Sequence, residues 1–517
     1  MEVSRRHCWL LIGLMALAAP AASAETLVTV TGEPLSQAPF LGYGVQWSAY
    51  PWCDPTDEDW ERVFERLDYM RVPIVRCMLR AYWYCEGYDS SGKPIYNWES
   101  ARMQKLYRLL DYCEDRGVPV MIGEWDDPAC DEDRQDSAAD RLQPYAIEET
   151  DPRWSVLICD FLEHLVRNRG YSCLRYYNLI NEPNGDWSGC ADFDRWKVGV
   201  QNLHREMGRR GLLEQIGVIG PDTTWQKDHY WVELAVRQLP EQMSAYEVHE
   251  YAPIADVESG WLEQHFRAKK RYVERYDWAG GEKKPFFMGE VGMDERGPVE
   301  PHGGEDSHPN IYDHIYGVWV ADYLVQCSRA GMDGAVAWML DDAMHIVKDK
   351  QSTWPDLQGV LWKKWGFFNS MAEEIGHPED SALRPWYYTW SLMSRSIPPG
   401  SRIVGCNYLE TTGLRVLAAR TPVGRTTYVV VNDCEASRAV KIVDRDSDAA
   451  VAWSRYHYFP EDRPTDDNGY PTPKAIGQAY DFQQGESFNL PPRGVLLLTS
   501  HRLAGHKEKH SSAGGTP

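Results

Sequence analysis

Eight short apolar runs between residues 41 and 342, separated by helix-forming stretches, constrain what this chain can fold into more than any other feature. They are LGYGVQWSAY (41–50), PIVRCML (73–79), VPVMIGEW (118–125), LRYYNLINEP (174–183), IGVIGPD (216–222), AYEVHEYAP (245–253), PFFMGEVG (285–292) and GAVAWMLDD (334–342). Several are apolar almost throughout, as parallel strands covered on both faces are. Between them lie helical stripes. Trp60, Phe64 and Leu67 recur at helical spacing behind Asp57, Glu58 and Asp59, an acidic start suited to a helix N-terminus. Met103, Leu106, Leu110 and Cys113 form a second stripe ended by Gly117. Leu157, Phe161 and Leu165 form a third ended by Gly170, and Phe193, Trp196, Val200, Leu203 and Met207 a fourth ended by Gly211. Strand, helix, glycine and strand again, carried to eight strands, predict a (β/α)8 TIM barrel over 41–385. An open doubly wound sheet competes, but no GxGxxG turn follows the first run.

From about residue 386 the pattern changes. RIVGC, LRVLAAR, TTYVVVND, AVKIVD, VAWSRYHYF and GVLLLTS are short and lack long helices between them, which predicts an antiparallel β-sandwich over 386–500. TLVTVTG (26–32) is strand-like and precedes the barrel, so the segment 25–40 is expected to add a strand to that sandwich. The polar stretch 501–517 is expected to be disordered. A chain of 517 residues is too long for one ordinary core and fits a large domain with a smaller one.

Residues 1–24 have the three parts of a secretory signal peptide: Arg5 and Arg6, the apolar stretch from Cys8 to Ala19, and Ala22-Ser23-Ala24 before the expected mature start at Glu25. The apolar stretch is too short to span a bilayer. The expected location is secreted or periplasmic, with a signal anchor as the alternative. Export permits disulfides. Cys8 lies in the leader, which leaves 11 of 12 cysteines, an odd number. Cys53, Cys85, Cys130 and Cys190 in loops, with Cys406 and Cys434 near the C-terminus, are bridge candidates of unassigned pairing. No CxxC pair or Cys/His cluster has zinc-site spacing.

Acidic residues (77) outnumber basic ones (54), giving a net charge of −23. That excess repels phosphate backbones and anionic headgroups and argues against nucleic-acid and membrane partners. With 22 Trp and 29 Tyr against 12 Phe, the aromatics suit a wet groove for a polyhydroxylated ligand or a Trp-rich core. Trp47, Trp52, Trp83, Trp125, Trp187 and Trp225 fall in or near the expected mouth loops.

Barrel chemistry sits where strands end. The polar residues there are Arg76 and Arg80 on the second strand, Glu124, Trp125 and Asp126 on the third, and Asn181 and Glu182 on the fourth. The fifth carries Asp222, the sixth His249, Glu250 and Tyr251, the seventh Glu290, and the eighth Trp338, Asp341 and Asp342. Glu182 and Glu290 each end an apolar strand, where a carboxylate costs desolvation. The fourth and seventh strands face each other across a barrel mouth, so two such carboxylates can flank a glycosidic bond at about 5–5.5 Å, as a retaining double displacement requires. Asp222, Glu250, Asp341 and Asp342 read as structural or rim residues.

On Asn181-Glu182-Pro183, Glu290, His249-x-Tyr251, Arg76 and Trp338, the chain resembles a clan A retaining glycoside hydrolase. YYTWSLMSRSIPPGSRIV (387–404) and PPRGVLLLTS (491–500) resemble the barrel-to-sandwich join and closing strand of families 30 and 39, and family 5 is close at the barrel. The resemblance implies Glu182 as acid/base and Glu290 as nucleophile acting on a β-linked glycan. It implies Asn181 at the sugar 2-hydroxyl, Arg76 and Tyr251 beside the nucleophile, His249 at sugar hydroxyls or orienting a carboxylate, and Trp338 as the sugar floor. Glu124 and Trp125 are further substrate-binding candidates. The expected partner is a carbohydrate, with no cofactor and no metal. Two rivals stand beside this reading: a metal-dependent hydrolase on the same barrel using His249, His302 or His308, and a carbohydrate-binding barrel without turnover. HGGEDSHPN (302–310) reads as a metal site or as a long polar loop.

Overall fold

A computed structural model describes residues 25–126, 148–188, 190–224, 230–277, 283–347, 360–409, 413–448 and 450–503. The proposed leader, Cys130, Trp225 and residues 504–517 lie outside them. The chain opens with strands β1 (Thr26–Pro34) and β2 (Gly42–Gln46), helix α1 (Asp57–Met70) and β3 (Val75–Leu79). A hairpin of β4 (Cys85–Tyr88) and β5 (Pro94–Tyr96) follows, then α2 (Ala101–Arg116), β6 (Val120–Glu124), α3 (Pro152–Glu163), β7 (Leu174–Asn178), α4 (Phe193–Arg210) and β8 (Gly217–Thr223). Next come α5 (Tyr230–Gln238), β9 (Met243–Ala252), α6 (Ile254–Ser259), α7 (Trp261–Tyr276), β10 (Phe286–Met293), α8 (His314–Arg329) and β11 (Gly334–Ala337). After the short pair β12 (Ile346–Val347) and β13 (Leu361–Trp362), α9 (Pro385–Ser396) leads into the C-terminal strands.

Strands β2, β3, β6, β7, β8, β9, β10 and β11 close into a barrel with every neighbour parallel. All eight apolar runs contribute one barrel strand each. The helices begin and end where local chemistry says they should. Thr56 caps α1 with a reciprocal bond to Asp59, and α2 and α4 end on Gly117 and Gly211, both left-handed. Met121, Ile219, Ala245, Phe287 and Val336 fill the barrel interior, while the alternate positions pack outward against the helices.

The C-terminal strands are β14 (Arg402–Asn407), β15 (Leu414–Arg420), β16 (Thr426–Asn432), β17 (Arg438–Val443), β18 (Ala452–Tyr458), β19 (Ala475–Ala479), β20 (Glu486–Leu490) and β21 (Gly494–Thr499). With β1 they form one nine-stranded sheet in the order β19-β18-β21-β16-β15-β14-β1-β17-β20, antiparallel except for the β1–β17 pair. Strand alternation gives it two apolar faces. Val416, Ala418, Tyr428 and Val430 join Val28, Val440 and Trp453 in the sheet's own core, whereas Leu417, Ala419, Val429 and Val431 pack into the barrel's helical layer. Buried ion pairs stitch that seam, Arg415 with Asp322 and Arg493 with Glu258.

The bridge candidates are corrected by the fold. Cys53, Cys85 and Cys406 are free thiols. Cys53 and Cys85 are buried and donate to the carbonyls of Ala343 and Gly87, and the Cys190 thiol donates to Asp192. These sulfurs act as small apolar groups packed against backbone instead of facing one another. The tryptophans divide too. Trp47, Trp60, Trp83, Trp154, Trp196, Trp231, Trp386, Trp390 and Trp453 are fully buried core residues, so Trp47 and Trp83 do not line the mouth. No helix among the described residues is long and apolar enough to cross a membrane.

Candidate active site

A cavity of about 650 Å³ opens at the C-terminal end of the barrel. Glu182, Glu290, Asn181, Tyr251, Trp338 and Trp125 all line it. Glu182 lies just past β7, where left-handed backbone (φ 47°) turns it inward and its amide donates to the Asp222 carbonyl at 3.1 Å. Glu290 sits within β10, beside a register shift in its pairing with β9 that follows Met288. One oxygen of Glu182, one of Glu290 and a nitrogen of His249 lie within 4.8 Å of one another.

Beneath this pair is a buried charged layer. Arg76 on β3 is wholly buried and donates to Glu290 at 2.6 Å, to Asp222 at 2.9 Å, to Asn181 Oδ1 at 2.7 Å and to Gln46 at 2.8 Å. His249 bridges Asp222 through Nε2 (2.6 Å) and Glu182 through Nδ1 (2.9 Å), with Glu290 3.5 Å from Nδ1. Tyr251 donates to Glu290 Oε2, and Asn178 donates to Asp222. Burial pulls His249 toward its neutral form, but Asp222 and Glu290 outweigh it and push its pKa up to about 10, so the ring is a cation near neutral pH. Burial pushes the Glu290 carboxyl up; His249, Arg76 and the Tyr251 hydroxyl pull against that, and the net shift is a rise. Burial also raises Asp222, yet Arg76 and His249 win, and its pKa is lowered. Two cations thus face two carboxylates in one dry layer.

Three expected substrate contacts are placed elsewhere. Arg76 and His249 do not line the cavity. They are wholly buried and hold the carboxylates from below, so they touch acids and not a ligand. Glu124 does not reach the mouth either. On β6, Met121 faces the barrel interior, so by two-residue alternation Glu124 faces out with Val120 and Ile122. There its carboxyl accepts from Tyr84 at 3.0 Å and Tyr177 at 3.4 Å, and burial pushes it up to about 8. Trp125 and Asp126, one and two residues on, do line the cavity, where Asp126 pairs with Arg80 at 3.0 Å.

Sequence reading placed Asp222 at the rim, although it is the hub between Arg76 and His249. It also missed Glu247, a wholly buried acid on the inner face of β9 whose two oxygens have no hydrogen-bond partner in the protein. Burial, with Asp222 nearby, raises Glu247 well above the carboxylate range, so it is neutral. The signal was present: Ala245, Glu247, His249 and Tyr251 alternate on one face of AYEVHEYAP. Gly289 makes the room, since a Cβ there would lie 2.7 Å from Glu247 Oε2 and 3.0 Å from the His249 ring.

The histidines of the metal-dependent rival do not converge. His302 packs edge-on to His377, and His308 is buried 3.6 Å from Glu295. The segment 302–310 is a wall of the mouth: Gly304 and His308 donate to Trp362 and Lys364, and Asp306 lines the cavity. Among the described residues, the one group of three that could hold a metal is Glu182, His249 and Glu290. A doubly protonated His249 has no lone pair to give an ion.

The sequence was compared with family models and curated proteins, and the fold with solved structures. Residues 35–340 match the model for cellulase, glycosyl hydrolase family 5. No curated protein matches. Among solved structures, the catalytic domain of a GH30 xylanase C from Talaromyces cellulolyticus superposes with a TM-score of 0.59 at 13% identity, covering 92% of this chain and 99% of that one. CelM2, a bifunctional glucanase-xylanase from a metagenome library, gives 0.57 at 13% over the same shares. A GH39 β-xylosidase from Caulobacter crescentus gives 0.53 at 14%, again over 92% and 99%. At these identities the superpositions speak for the fold, a barrel with an appended β-domain. The family model covers more than half of the sequence, and on that match the chain belongs to the cellulase family of glycosyl hydrolases, family 5.

Proposed function

We propose that the protein is a retaining glycoside hydrolase that cleaves a β-linked poly- or oligosaccharide outside the cytoplasm, with Glu182 as acid/base and Glu290 as nucleophile. The observation that carries this reading is the approach of the two carboxyl groups to within 4.8 Å across the cavity floor. A retaining pair stands about 5–5.5 Å apart, whereas an inverting pair needs about 6.5–9.5 Å to admit a water between them.

In the first step a Glu290 oxygen attacks the anomeric carbon while the C1–O bond breaks and Glu182 gives its proton to the leaving oxygen. In the second, Glu182 takes a proton from water, the water oxygen attacks C1, and Glu290 is released as carboxylate. Arg76 and Tyr251 grip the Glu290 oxygens and take up the negative charge that returns in the second step. Since Asn181 Oδ1 accepts from Arg76, its amide NH₂ is left to donate to a sugar hydroxyl. Trp338 and Trp125, with ring centroids 5.9 Å apart, offer an apolar floor for the sugar ring. Export rests on the leader pattern of residues 1–24.

A metal-dependent reading has one observation in its favour, the Glu182, His249 and Glu290 triplet. One experiment addresses both. NMR of the first product formed from xylan, β-glucan or their oligosaccharides should show the β-anomer before mutarotation, at the same rate with and without EDTA. An α-anomer would contradict the double displacement, and chelator-sensitive turnover would favour the metal.

A further inference from the structure

The turn that carries Glu182 also carries Trp187, and its construction is specific. The Gly185 amide donates to the Glu182 carbonyl at 2.9 Å, and the Ser188 amide and hydroxyl return to the Gly185 carbonyl at 3.2 and 2.8 Å. Asn184 ties the turn to β8 by two bonds with Thr224, at 2.9 and 3.0 Å. The indole lies flat on Gly185: a Cβ at that position would fall 2.3 Å from Cζ2 and 2.4 Å from Cε2 of the ring. One face of Trp187 is therefore backed by rigid backbone. The residue lines the cavity and is 47% exposed, in a chain that fully buries most of its described tryptophans. A large apolar face kept open at a polar mouth needs an occupant to cover it.

We propose that Trp187 is the platform on which the sugar unit of the leaving group stacks, and that Gly185 is there to lay its ring flat. The inference rests on the roles given above to Glu182 and Glu290. The acid donates to the glycosidic oxygen, so groups built onto its turn border the departing unit. The Trp125, Trp338 and His345 rings, with centroids 5.1–5.9 Å apart, make a separate aromatic cluster for the unit that stays bound. The C–H face of a β-linked pyranose stacks on an indole, and a ring held in place by its backbone loses little entropy on binding.

The test uses two substrate types with a shared glycone. Cellobiosyl and xylobiosyl β-fluorides leave fluoride, which has no ring to stack; cellotetraose and xylotetraose leave a sugar. For Trp187→Ala the ratio of kcat/KM on tetrasaccharide to that on fluoride should fall about 10–100-fold relative to wild type. Trp187→Phe should recover most of it, and transfer of the glycosyl unit to sugar acceptors instead of water should fall in parallel. An unchanged ratio in Trp187→Ala, on an active wild type, overturns the platform alone. A wild type without turnover on both substrate types overturns the reading of the carboxylate pair and the platform with it. Gly185→Ala keeps the indole but tips it, and a ratio unaffected there would remove the role given to the glycine.

Discussion

Glu290→Ala is expected to lower kcat on β-glycans by at least about 10⁴-fold, the scale on which an enzyme loses activity with its nucleophile. The substitution removes the one carboxylate that Arg76 and Tyr251 hold against the cavity, and leaves a hole of carboxyl size beside two donors. Azide fits that hole. Added to the variant, it should attack C1 from the vacated side while Glu182 still protonates the leaving oxygen, and the product should be the inverted α-glycosyl azide. Kinetics with azide on an aryl β-glycoside, with product stereochemistry by NMR, check this. Residual activity within about 100-fold of wild type, or no azide product, would contradict the nucleophile assignment.

Glu182→Ala should split substrates by leaving group. Glycosides of acidic phenols need no proton to depart, so their kcat/KM should stay within about tenfold of wild type. Oligosaccharides should lose about 10²–10⁴-fold, the range of general acid catalysis. Azide should again rescue, now by attack on the glycosyl-enzyme, and give the retained β-azide. The opposite azide stereochemistries of the two variants make the roles hard to confuse: if they came out exchanged, the two carboxylates would have to exchange roles. The loss at Glu182 should also be local. His249 would lose one partner but keep Asp222 at 2.6 Å, so the charged layer beneath should hold.

Much of the barrel was legible because a strand buried on both faces has to be apolar, and the eight runs stand out against amphipathic helices. The carboxylates of β10 and the β7 end were legible for the opposite reason, since acids in such runs are anomalous. What escaped was depth and facing. Glu124 sits one residue from the mouth-lining Trp125, and only the pleat parity, fixed by Met121 inside the barrel, sends its side chain outward. Arg76 and His249 read as ligand contacts because strand position does not say how far below the mouth a side chain ends. Asp222 was unreadable as a hub because β8 shifts register after Pro221 in its pairing with β9, which breaks the alternation that would have placed it. Glu247 was readable from AYEVHEYAP but looked like one more charged strand residue beside Glu250. Thiol pairing depends on facing, which spacing along the chain does not carry.

The central claim is that Glu290 forms a covalent bond to the sugar. Incubation with a 2-deoxy-2-fluoro β-glycoside bearing a good leaving group slows both steps, and release from the enzyme more than its formation, so the glycosyl-enzyme should accumulate. Intact mass should then rise by one fluorosugar per chain, and peptide mapping should place it on the FFMGEVG segment at Glu290. A label on Glu182 or any other residue, or inactivation without a mass change, would contradict the account.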